Sequence, residues 1–198
     1  MYFTQLTAVD PDADQLSELQ TTVAQLLPNV SANFCQETAQ SWNGGDQPFD
    51  VVLLFHCLYY VRKLERPAFF KKLFDNVVAE GGFVFVITAP YDLQNPSVFG
   101  RLKYSFMKDE KIAIPVDGLE VDERLKLAGF CEWHQMSFEF QVNVEEPHDD
   151  LMALFMFWNG GRLRYEQVRR TIKESIGSQK YLPTESYFGV FIKPSLQE

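Results

Sequence analysis

Three side chains stand where their type and position could do chemistry: Asp10, His56 and Tyr60. Asp10 lies in Thr7-Ala8-Val9-Asp10-Pro11, where a short extended stretch ends and Asp12 opens a helix. At the carboxyl end of a strand in an open α/β sheet, a carboxylate can grip the ribose of a nucleotide-like ligand. His56 closes the apolar run Phe49-Asp50-Val51-Val52-Leu53-Leu54-Phe55 and would display an imidazole, which titrates near neutral pH, at the same end of a second strand. Tyr60 follows in Leu58-Tyr59-Tyr60-Val61, just beyond that strand.

Each has a plainer role to set beside the chemical one. Asp10 can be a polar strand end beside the cap Asp12. Gln15, three residues after Asp12, completes the spacing of a capping box and would satisfy the helix terminus without any ligand. For His56 a satisfied, half-buried imidazole carries more weight than catalysis, because a lone histidine is a weak signal. His134 and His148 share no spacing with a second ligand, so no metal site is expected. Gly44-Gly45 and Gly160-Gly161 do not join a buried strand to a helix and read as turns, not phosphate cradles. Glu145-Glu146 reads as a solvated loop and Asp149-Asp150 as a helix cap.

These positions depend on the elements around them. Leu16, Leu19, Val23, Leu26 and Leu27 recur at helical spacing over 12–27, with Asp12 as N-cap and Pro28-Asn29 as the stop. A strand is expected over 30–36, a loop over 41–48, and a strand buried on both faces in the first half of 49–61. Residues 67–79 form an amphipathic helix that Gly81-Gly82 ends, and 83–88 a second fully buried strand. A weakly patterned helix falls in 93–107 and a short one at 121–128, closed by Gly129. Then come a long strand over 131–143, helices at 151–158 and 165–176, and a last strand at 187–193. The 151–158 helix is apolar almost all round, which suits a core helix or a ligand- or partner-covered one. Strands alternating with helices give a three-layer α/β sheet, and the last two strands suit a terminal pair with one antiparallel member.

The bulk properties limit the partners. The chain has 198 residues, enough for a single domain over 1–198, and is 46% hydrophobic and 15% aromatic with eighteen Phe. A net charge of -9 argues against nucleic acid or an anionic membrane, both of which need a basic face. Three widely spaced cysteines, Cys35, Cys57 and Cys131, suit a reducing compartment and no structural zinc. With no signal-peptide pattern at the start, the expected location is the cytosol.

The segments VDPDADQL, CQETAQSW, FDVVLLFHCLYYV and GGFVFVI, in that order, resemble class I S-adenosylmethionine-dependent methyltransferases, and within them the histamine N-methyltransferases. The resemblance implies a Rossmann-like sheet in which residues 1–9 take the place of the second strand. The first strand and its glycine-rich turn are then lacking, and the implied order is 3-2-4-5-7-6 if the flanking strands close up. It also implies S-adenosylmethionine as cofactor, held by Asp10 on the ribose, Gln15, Thr38 of the Glu37-Thr38 pair, Ala39 near the adenine, Phe55 and His56. Tyr60 matches an aromatic of the substrate pocket, and a substrate-binding asparagine of the family would fall near Pro183 or Thr184, where none stands. The expected function is a methyltransferase-like protein with lost or severely weakened cofactor binding, not an active methyltransferase, which associates as a homodimer. The alternatives are a working small-molecule amine N-methyltransferase, with His56 and Tyr60 as catalytic candidates, and a ligand-binding or regulatory module.

Overall fold

The computed structural model describes residues 3–88, 98–106, 116–144, 152–153, 155–156 and 163–195. They fall into two compact units, Met1–Pro48 and Phe49–Glu198.

The first unit is a β-α-β hook. Strands β1 (Gln5–Val9) and β2 (Ser31–Cys35) pair in parallel from Gln5↔Ser31 to Val9↔Cys35, joined by helix α1 (Ala13–Leu26). Asp12 caps α1 by accepting from the backbone N–H of Asp14 at 2.9 Å and Gln15 at 3.2 Å. The other half of the expected capping box differs: the N–H of Asp12 donates to Asp10 Oδ1 at 2.8 Å, a shorter reach than the one from Gln15. Among the described residues of this unit only Leu16 and Val23 are buried.

The second unit carries the sheet β3-β4-β6-β5. Strands β3 (Phe49–Phe55) and β4 (Val78–Thr88) run parallel, and β6 (Tyr181–Ile192) is antiparallel to both β4 and β5 (Cys131–Asn143). This is the mixed α/β sheet expected, and within each unit the strands follow the implied order. Among the described residues β1-β2 is the sheet of the first unit and β3-β4-β6-β5 that of the second. As an edge strand, β3 is not buried on both faces. Leu54 is buried, whereas Leu53 is 58% exposed and Phe55 46%.

Other elements shift for local reasons. Helix α2 (Arg66–Lys72) widens into a π-helical turn, Leu73–Val77, and β4 starts directly at Val78. The two glycines therefore lie inside β4, where Gly81 takes φ +73°, a conformation glycine adopts without strain. In β4 the alternation Val84, Val86, Thr88 is buried, while Phe83, Phe85 and Ile87 are half-buried, so this strand too is covered on one face. Helix α3 spans Val98–Phe106 and α4 Gly118–Ala128, closed by Gly129 at φ +113° as expected. Helix α5 is Tyr165–Ile176, as its spacing predicts. Of the 151–158 helix, 152–153 and 155–156 are helical and the rest lies outside the described residues. Met152 and Phe155 are fully buried in a core with Leu102, Phe106, Val168, Ile172 and Leu182, which supports the core-helix reading. His148, Glu145-Glu146, Asp149-Asp150 and Gly160-Gly161 also lie outside the described residues.

Strand β6 begins at Tyr181, six residues earlier than its pattern predicts. Its early half includes Pro183, which a central strand rejects for want of an N–H. The described β4 ladder ends at Thr88↔Tyr187, so among the described residues only β5 is alongside Pro183, and the proline is tolerated.

Candidate active site: the strand ends of each unit

In the first unit, β1 ends where Asp10 N donates to Cys35 O at 3.2 Å, one step past the ladder. The side chain of Asp10 then turns onto the entry of α1 through Oδ1, leaving Oδ2 as the carboxylate oxygen that can receive a hydroxyl. Asp10 is half-buried. Across from it, Gln36 Nε2 reaches Pro11 O at 3.5 Å, which ties the two strand ends together. Thr38 is committed to a turn: its Oγ1 lies 2.8 Å from Ser41 Oγ and accepts from Ser41 N at 3.1 Å. Ala39 follows, half-buried, and Gln15 is exposed on the first turn of α1. Asp10, Thr38 and Ala39 thus sit on the two loops that leave the parallel pair.

In the second unit, β3 ends at Phe55 and the chain turns sharply. His56 adopts φ +51°, the one non-glycine residue with positive φ among those described, and its N–H donates to Ile87 O at 2.8 Å. Histidine tolerates this region better than a β-branched residue, but the conformation still stores strain, which accumulates at functional positions. The imidazole is exposed, not half-buried as the sequence suggested, because the left-handed step turns it away from the covered face. A 3-10 turn, Leu58–Tyr60, follows; Leu58 and Val61 anchor it in the core.

The tyrosine pair divides its work. The rings of Tyr59 and Tyr60 lie 4.6 Å apart. Tyr59 packs against the core under α3 and α5, and burial, with Tyr60 beside it, holds its phenol well above the ordinary range. It therefore stays neutral and serves as a wall. Tyr60 is 48% exposed and is the one able to meet a solute.

Sequence reasoning missed the group that holds this turn. Arg66 is fully buried; its Nε donates to Val61 O at 3.0 Å and its Nη1 pairs with Glu120 Oε2 at 2.8 Å. The carbonyl it binds is the one directly after Tyr60, so the pair fixes where the aromatic shelf sits. A cation in the first turn of a helix opposes the macrodipole, and that misfit in Arg66-Pro67 was the available signal.

Near the C-terminus, Pro183 is exposed and Thr184 buried on β6, facing Gln141 and Phe140 of β5. Among the described residues no group of three His, Cys, Asp or Glu could hold a metal ion, and no helix is long and apolar enough to cross a membrane.

Residues 2–82 match a family model described as a methyltransferase domain. No curated protein matches the chain in sequence. Among solved structures, the YcgJ protein of Bacillus subtilis superposes with a TM-score of 0.68 at 13% identity, over 98% of this chain and 84% of that one. A SAM-dependent methyltransferase of Methanosarcina mazei gives 0.60 at 15%, over 96% and 82%. The N-methyltransferase NodS of Bradyrhizobium japonicum, solved with S-adenosyl-L-homocysteine, gives 0.58 at 9%, over 96% and 67%. Residues 2–82 are thus similar in sequence to a methyltransferase domain, and the fold is that of solved S-adenosylmethionine-dependent methyltransferases.

Proposed function

We propose that the protein is a histamine N-methyltransferase-like member of this family whose grip on S-adenosylmethionine is severely weakened. The observation that carries the reading lies within the first unit: one Asp10 carboxylate oxygen is spent on the N–H of Asp12 and the Thr38 hydroxyl on Ser41, so few polar groups are left for the cofactor. Asp10 Oδ2 suits a ribose hydroxyl, and half-buried Ala39 suits an adenine edge. Thr38 does not add to them, because its hydroxyl is already bonded to Ser41. When bound, the cofactor supplies an electrophilic methyl on a sulfonium; the protein has only to orient it and exclude water.

Calorimetric titration of the full chain with S-adenosylmethionine tests this. The expected result is a dissociation constant above roughly 100 μM, against the 1 μM that a gain of about 8 kcal/mol would give. Asp10→Ala is expected to remove the residual binding. Micromolar affinity overturns the weakened grip, and affinity indifferent to Asp10→Ala overturns the ribose assignment.

A second reading, a working N-methyltransferase of small amines, is favoured by one feature: the strained, exposed His56 beside the exposed Tyr60. Amine-dependent turnover of S-adenosylmethionine that His56→Ala or Tyr60→Ala lowers at least tenfold would establish it. No turnover with any amine tested would exclude it.

A further inference from the structure

Strand β5 is the feature that the site does not use. It runs for thirteen residues at the edge of the sheet, paired to β6 on one side and to nothing among the described residues on the other. Its residues alternate strictly after an irregularity between Glu132 and His134. His134, Met136, Phe138, Phe140 and Val142 share one face, and Gln135, Ser137, Glu139, Gln141 and Asn143 the other. The apolar face is the core face at its far end, where Val142 packs against the α3–α5 core. Toward the near end it is uncovered: Met136 is 47% exposed and Phe140 45%, and Trp133, leaning on Phe83, is 66% exposed.

Edge strands of monomers are guarded by lysine, proline, inward charge or a bulge. Here the irregularity guards the first residues only. From Gln135 to Asn143 there is no Lys or Pro, and Glu139 is the one charge.

We propose that β5 is a self-association edge, and that two copies of the chain pair it antiparallel across a two-fold axis at Ser137. That register sets Met136 opposite Phe138 of the second copy and His134 opposite its Phe140, so the apolar faces run together. Glu139 meets Gln135 of the second copy, and no two glutamates oppose each other, which would be destabilising. An isologous contact of this kind closes on itself, as most homodimers do. The exposed parts of Trp133, Met136 and Phe140 supply roughly 300 Å², about half of what a stable interface needs from each partner. The backbone edge adds to this, against about 600 Å² per partner at the lower end of stable interfaces.

Sedimentation of the full chain tests the proposal. The expected result is a dimer in the micromolar range, tightened by salt because each copy carries a net charge of -9. Met136→Lys with Phe140→Lys is expected to give a monomer with an unchanged circular dichroism spectrum. In a Cys131→Ser background, Ser137→Cys is expected to form a disulfide-linked dimer on mild oxidation, whereas Asn143→Cys at the strand end is not. A chain that stays monomeric, with β5 amides protected by another part of itself, overturns the proposal. So does a dimer that survives the double substitution, or equal cross-linking at both positions.

Discussion

The two units solve the problem of holding a short parallel strand pair in opposite ways. In Met1–Pro48, β1 and β2 are tied by local means: a capping aspartate, a second aspartate closing the turn before it, and a single helix that buries two side chains. In Phe49–Glu198, the turn that follows β3 is tied from a distance, by a buried arginine of α2 that binds Val61 O and meets a glutamate of α4. The first unit carries Asp10, Asp12, Asp14, Glu18, Glu37 and Asp46 with no Lys or Arg at all. Local capping suffices to form a hook, but a hook with so little apolar burial contributes little stability. Cooperative stability belongs to the second unit.

Breaking the distant tie has the largest expected effect. Arg66→Ala empties the site of a fully buried side chain and leaves half-buried Glu120 without this partner, and is expected to cost about 3 kcal/mol of unfolding free energy, measured by urea denaturation. Arg66→Met with Glu120→Leu removes both charges, and recovery of most of the loss would show that the orphaned carboxylate dominated. Next comes the close approach of α4 to β6. A Cβ on Gly118 would sit 2.4 Å from the Tyr187 ring, so Gly118→Ala is expected to cost about 1–3 kcal/mol.

The local tie should break more gently and in one place. Asp12→Ala is expected to cost the first unit about 1 kcal/mol. Hydrogen exchange should quicken in α1 while β4 and β6 keep their protection; a loss spread over both units would show that they are coupled more tightly than this comparison holds.

Smallest is a pH effect at the α4–β5 corner, where Lys126 Nζ lies 2.6 Å from Glu132 Oε2 and also pairs with Asp122. Its hydrogen bond holds the Glu132 carboxyl below its usual range. A depressed carboxylate stabilises the fold above its unfolded pKa and loses that contribution as pH falls through the folded one. Glu132→Gln should therefore lower the melting temperature slightly at neutral pH, by an amount that shrinks as pH falls below the ordinary carboxylate range.

Much of this was legible in the residues. The Asp12 cap, the Gly129 stop, the α5 spacing and the antiparallel end of the sheet follow from one-dimensional signals, because each rests on neighbours in sequence. What failed was decided by neighbours in space. The apolar run 49–55 looked buried on both faces because composition cannot show that β3 is an edge. Gly81-Gly82 looked like a helix stop because a π turn leading straight into a strand leaves no periodic trace. At the candidate site, Asp10, His56 and Tyr60 were chosen by type, position and resemblance. The left-handed backbone of His56 and the hidden role of Arg66 were not, since each depends on a partner, Ile87 or Glu120, far along the chain.

The place of β6 has a consequence for synthesis. It is the last strand in sequence yet lies between β4 and β5, and Lys193 at its end donates to the carbonyls of Phe74 and Val78. While the ribosome is still making residues 181–192, β5 has emerged with no neighbour to receive it. The nascent chain must carry a thirteen-residue amphipathic ribbon through that interval, the stage at which unpaired strands invite aggregation and chaperone capture.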